Sequence, residues 1–104
     1  MGGRHSLPDD RRMNTLHIHV TVSDVAAFKA GFADHNEIRR QAGVRAERVR
    51  HAAGDGKDLT VELDFDSAEE AEAFLAFARE NIWKGNPTVV GTPSASILQP
   101  LDLG

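Results

Sequence analysis

The sequence predicts an α+β fold in the order β-α-β-β-α-β, and three observations carry that reading. Residues 15–22 and 58–66 alternate apolar and polar side chains, the period of a half-buried strand. The segment after each of these strands carries apolar residues at helical spacing behind a capping residue. Clusters of Gly, Pro, Asn and Asp separate the elements. A chain of 104 residues suggests one domain with a modest core.

Residues 1–13, "MGGRHSLPDDRRM", are polar and punctuated by Gly and Pro. They read as a flexible N-terminal extension, with Met13 as a plausible first residue and His5 as a tail residue. The domain is expected over 14–104. In the first strand, "TLHIHVTV", Leu16, Ile18, Val20 and Val22 form the apolar side and His17, His19 and Thr21 the polar side. Ser23 is the expected N-cap of a helix from Asp24 to about Ala42, and Gly43 its stop. Residues 44–52 read as a second strand and "GDGK" as a turn. The third strand puts Leu59, Val61, Leu63 and Phe65 on one face and Thr60, Glu62, Asp64 and Asp66 on the other. Ser67 followed by Glu70 is a capping box, so a second helix is expected from Ala68 to about Trp83. "KGNPTVVGTP" reads as a loop and "SASILQPLDL" as a fourth strand, where Pro100 argues for an edge position. This order is the split βαβ, or ferredoxin-like, pattern: a four-stranded antiparallel sheet with two helices on one face.

Composition excludes several classes. There are 12 basic and 16 acidic residues, a net charge of −4, so the chain lacks the basic footprint of a nucleic-acid binder. The basic run from Arg39 to Arg50 is broken by Glu47 and apolar residues, and reads as a solvated face. The absence of cysteine excludes disulfides, thiolate metal sites and cysteine nucleophiles, and fits a reducing cytoplasm. No apolar run approaches a membrane span, and no signal-peptide core is present. There is no P-loop, GxGxxG fingerprint or GxSxG elbow.

In the predicted topology strands one and three lie side by side. His17 and His19 then share the helix-free face with Glu62 and Asp64, where imidazole and carboxylate can pair. The element order, "FADHNEIRRQAGV", the "LDFDSAEEAEAFL" junction and the closing "GTPSASIL" resemble the dimeric α/β-barrel superfamily. They resemble most its small bacterial cyclase-like and antibiotic biosynthesis monooxygenase-like members, over about residues 14–103. The resemblance implies a homodimer whose sheets pack face to face, with the histidine face at the interface. It also implies a substrate pocket between helices and sheet in each subunit.

Three groups of residues are candidates. His17, His19, Glu62 and Asp64 read first as an interfacial polar network. Two histidines two apart on a strand with a carboxylate are also a usable metal ligand set, so a metal-binding protein using His17 and His19 is an alternative. Along the first helix, Val25, Phe28, Phe32, His35, Arg39 and Ala42 form one stripe. Two polar residues in such a stripe need partners or a cavity. By the resemblance they stand at a pocket mouth, His35 as acid–base and Arg39 as holder of an anionic or enolate oxygen. The bland reading is a histidine satisfied by backbone and an arginine that snorkels to solvent. Trp83 and Phe77 lie off the second helix's core arc of Ala71, Phe74, Leu75, Ala78 and Ile82, so Trp83 is a candidate ligand contact with Phe28 and Phe32; the bland reading is that it folds back under the following loop and closes the core.

The resulting expectation is a small cofactor-independent enzyme of the cyclase/monooxygenase type, acting on an apolar, aromatic-like carbonyl compound. The chain has no tyrosine, a departure from the Tyr, Trp and Asn pockets of the superfamily's cofactor-free monooxygenases. The rival expectation is a non-catalytic dimeric small-molecule-binding or accessory protein. No cofactor, nucleic acid or membrane is expected as a partner, and the expected location is cytoplasmic.

Overall fold

The computed structural model describes residues 13–103. Residues 1–12 of the expected extension, His5 among them, lie outside the described residues. The strands are β1 (Asn14–Val22), β2 (Ala46–Ala52), β3 (Asp55–Phe65) and β4 (Val89–Leu98). The helices are α1 (Val25–Asp34), α2 (Asn36–Gln41) and α3 (Ala68–Ala78), the last running into a π-helical turn at Arg79–Trp83. The strands form one antiparallel sheet in the order β2-β3-β1-β4, the ferredoxin-like arrangement.

The alternating strands divide as their pattern predicts. Leu16, Ile18, Val20 and Val22 of β1 are buried with Leu59, Val61, Leu63 and Phe65 of β3, and Ala71, Phe74 and Ala78 of α3 close over them. Both central strands bury one whole face, so a one-residue slip would expose the entire apolar set; burial therefore specifies their register. β2, an edge strand, is exposed along its whole length.

Several boundaries differ from the sequence expectation. The first helix is capped by Asp24, not Ser23: Asp24 Oδ1 accepts the Ala27 N–H at 3.1 Å. Ser23 instead donates from Oγ to the Pro87 carbonyl at 3.2 Å, tying the loop before β4 to the end of β1. The predicted single helix from 24 to 42 breaks at His35. In an unbroken helix the Phe32 carbonyl would accept the Asn36 N–H; here Arg39 Nη1 donates to it at 2.6 Å.

The second helix keeps its predicted cap, Ser67 Oγ accepting the Glu70 N–H at 3.1 Å, but its last turn widens to π. Side-chain amides occupy carbonyls there: Asn81 Nδ2 donates to Phe77 O at 3.1 Å and Asn86 Nδ2 to Ile82 O at 2.9 Å. β3 begins at Asp55, so the predicted four-residue turn shrinks to Ala53 and Gly54, with Gly54 at φ +87°. β4 begins at Val89 rather than Ser94 and ends before Pro100. Its pairing with β1 slips between His19 and Thr21, and Gly91 at φ +72° lies in that bulge, which masks the strand period in the sequence.

Candidate functional site

Two polar constellations stand on opposite sides of the sheet. On the helix-free face β1 and β3 put His17 opposite Glu62. His17 Nδ1 donates to Glu62 Oε2 at 2.9 Å, while His19 Nε2 bonds Asp58 rather than either predicted carboxylate. Asp64 is held from β2: Arg48 donates to its two oxygens at 3.0 Å each, and Thr15 Oγ1 donates to Oδ1 at 2.6 Å. Arg48 and Arg50 also reach Glu62 Oε1 at 3.2 and 2.8 Å.

The electrostatic consequence is clear at two groups. The His17 hydrogen bond, with Arg48 and Arg50, holds the Glu62 carboxyl below the usual carboxylate range despite partial burial. The bidentate Arg48 pair, with Thr15, does the same to Asp64. The two histidines thus go to different carboxylates, and no three metal-ligating side chains gather among the described residues. That arrangement gives the metal reading no geometric support.

Sequence reading missed Arg48, Arg50 and Asp58. The first two were legible in principle. In "AERVRHA" the arginines fall at alternate positions, on the face shared with Glu62 and Asp64.

On the helix side a cavity of about 110 Å³ lies between α1, the π turn, the loop before β4 and the central strands. Its walls include Ile18, Val61, Phe28, Phe32, Trp83 and Ile82, and its polar lining side chains are His35, Arg39, Asn86 and Thr88. The five residues singled out from sequence as His35, Arg39, Phe28, Phe32 and Trp83 are therefore brought together around one space. The cavity explains why α1, though it packs on the core through Val25, Phe28 and Phe32, buries no residue completely. Phe77 takes no part; it is 37% exposed on α3 beside Phe74.

The two polar residues of α1 and α2 differ in kind. His35 Nδ1 lies 2.7 Å from the Gly31 carbonyl. A carbonyl only accepts, so Nδ1 carries the proton, and Nε2 is the ring's basic nitrogen. Arg39 is 4% exposed. Its Nε and Nη2 donate to Glu47 at 2.7 and 3.3 Å, Nη1 donates to the Phe32 carbonyl, and Cζ stands 3.5 Å over the Phe32 ring. Arg39 does not snorkel; it is neutralised by a carboxylate and pins α2 to β2.

Asn86, like Thr88, is a polar cavity residue that sequence reading did not single out. Besides its bond to Ile82 O, its Oδ1 accepts the Thr88 N–H at 2.9 Å, shaping the loop that forms one wall. The Asn-Pro pair was the available signal for that turn.

A ferredoxin-like α+β sheet carrying an aromatic-walled cavity with one histidine defines the class of molecule. Solved structures similar to it are antibiotic biosynthesis monooxygenase-like ferredoxin-fold proteins. One, named "Putative antibiotic biosynthesis monooxygenase", from Bordetella bronchiseptica, superposes with TM-score 0.68 at 15% identity, over 86% of this chain and 97% of its own. Its namesake from Nitrosomonas europaea gives TM-score 0.64 at 14% identity, over 86% and 91%. A dimeric ferredoxin-like protein from an uncultured marine organism gives TM-score 0.53 at 13% identity, over 83% and 94%. Identities this low establish the fold alone. No protein-family profile and no curated protein matches the chain. No helix among the described residues is long and apolar enough to cross a membrane.

Proposed function

We propose that this chain is a cofactor-independent enzyme of the cyclase/monooxygenase type, acting as a homodimer on a small apolar carbonyl compound. The observation that carries the reading is His35 at the wall of the cavity, its Nδ1–H fixed on Gly31 O and its basic nitrogen without a protein partner among the described residues. In a largely apolar site such an imidazole is suited to accept a proton from carbon next to a carbonyl or from an enol. The Nδ1–H bond orients the ring. Phe28, Phe32 and Trp83 would wall the substrate, and Arg39 would act as a positioning residue, since Glu47 already holds its guanidinium. The names of the similar structures support the reaction type, and a neighbour named as dimeric supports the homodimer; the helix-free face is where we place its contact.

A second reading is favoured by a specific observation. His35 has a backbone partner and Arg39 is fully enclosed, which suits a protein that binds a small molecule and does no chemistry on it.

Phenylacetone, an aryl ketone with acidic benzylic hydrogens, separates the two. Its binding is read from the emission of Trp83, the sole tryptophan, and its hydrogen exchange in heavy water by proton NMR. Exchange well above buffer, lost in His35→Gln while binding persists, is the expected result. Binding without exchange leaves the non-catalytic reading.

A further inference from the structure

We propose that the cavity is only the inner half of the ligand site, and that its occupant is an elongated amphipathic acid. The proposal rests on the reading that the cavity binds a small molecule. At about 110 Å³ the cavity is below the ~300–1,000 Å³ usual for small-molecule sites.

Outside it, between α1 and the β2–β3 hairpin, runs a groove of about 320 Å³. Val25, Ala33, Val49 and Leu59 line it, and so do Phe28 and Phe32. Those two rings, stacked with centroids 5.6 Å apart, are thus a wall common to cavity and groove. Rotation of the pair joins the two spaces into one site of ordinary ligand size.

The groove's charge chooses the far end of the ligand. Its charged or titratable lining residues are Lys29, Arg50 and His51, and no carboxylate lines it. Arg50 turns its guanidinium to the opposite, helix-free face, onto Glu62 at 2.8 Å, and His51 Nδ1 is 3.1 Å from the Ala52 carbonyl. Lys29 has no ion pair among the described residues, which leaves its ammonium for an anion. The occupant therefore has an apolar head in the cavity, an apolar chain along Val49 and Leu59, and a carboxylate at Lys29. The groove is on the helix side, so a dimer packed through the helix-free faces leaves it open.

A ladder of straight-chain acids from hexanoate to dodecanoate tests this, with phenylacetone as the probe for the cavity alone and Trp83 emission as readout. Wild type is expected to gain up to about fourfold in affinity per added CH₂, and to bind decanoate several-fold tighter than decanol. Lys29→Gln is expected to erase that preference. Val49→Asp, at an exposed edge-strand position, is expected to erase the chain-length gain and leave phenylacetone binding unchanged. Gly31→Leu, where a side chain has open space at the cavity wall, is expected to weaken every probe.

A flat ladder with phenylacetone still bound overturns the extended site and spares the cavity. A ladder that survives Val49→Asp or Gly31→Leu places the chain elsewhere and also overturns it. Equal binding of decanol and decanoate removes the acid. Failure of every probe, phenylacetone included, removes the cavity reading and this inference with it.

Discussion

Gly31 and Gly43 carry opposite constraints. Gly31 lies within α1 with open space where a Cβ would stand, so nothing in the fold requires glycine there. Gly31→Ala is expected to raise stability by ~0.5–1 kcal/mol through helix propensity and a less flexible unfolded chain. Gly43 stops α2 at φ +104°, and a Cβ there would stand 2.9 Å from the Glu70 carboxylate. Gly43→Ala is expected to cost at least ~1 kcal/mol. Urea melts of the two variants check both signs.

His35 and Arg39 divide in the same way. Arg39→Ala leaves Glu47 and the Phe32 carbonyl without their donor and uncovers the Phe32 ring; a loss of about 2 kcal/mol is expected, moderated because Glu47 is a third exposed. His35→Ala removes one bond to a carbonyl that still accepts the His35 backbone N–H, so a change within ~1 kcal/mol is expected. Equal losses in the two variants would mean that His35 is as structural as Arg39.

At the scale of the elements, the pairing of β2 with β3 has an ionic component. The Asp64 side chain is 13% exposed and holds Arg48 at both oxygens. Asp64 and Glu62 are both held below the ordinary carboxylate range, so the folded protein keeps them charged where the unfolded chain takes up protons. Their contribution is fully present above about pH 5, beyond the ordinary values of both carboxyls, and is lost as pH falls through their lowered values. Asp64→Asn is expected to cost ~1–2 kcal/mol at pH 7, discounted because Arg48 is partly exposed. The gap to wild type closes as the pH falls below about 4. A gap unchanged at pH 3 would show that packing, not charge, is what the substitution removes.

For the whole molecule the open question is the helix-free face. A dimer through it is expected to give about twice the 11.3 kDa chain mass in light scattering. From sequence alone, protonation of His17 and His19 toward pH 5 would be expected to repel across the two-fold axis unless carboxylates absorb the charge. The structure supplies those carboxylates, Glu62 for His17 and Asp58 for His19. Arg48 and Arg50 against Asp58, Glu62 and Asp64 leave one net negative charge, and two protonated imidazoles leave one net positive. The magnitude is the same, so the dissociation constant is expected to change less than about threefold between pH 8 and 5. A tenfold weakening would mean that these pairs open in the dimer.

The strand faces follow from a local period of two, the stripe of Phe28, Phe32, His35 and Arg39 from a period of 3.6, and the Ser67 cap and Gly43 stop from single-residue backbone chemistry, so each was readable from sequence; the grouping of that stripe with Trp83 around one space came from the resemblance. Local period also misled. It ran one helix through His35, because the break depends on Arg39 reaching back to the Phe32 carbonyl and across to Glu47, contacts that form only when α2 meets β2. It started β4 five residues late, because a bulge against β1 hides alternation that only the partner strand reveals. The choice of Asp58 over Asp64 for His19, and of Arg48 for Asp64, is a matter of cross-strand register and side-chain reach. The cavity itself could not be read in one dimension: it is the volume left when α1, the π turn and the Asn86 loop close over the sheet without meeting.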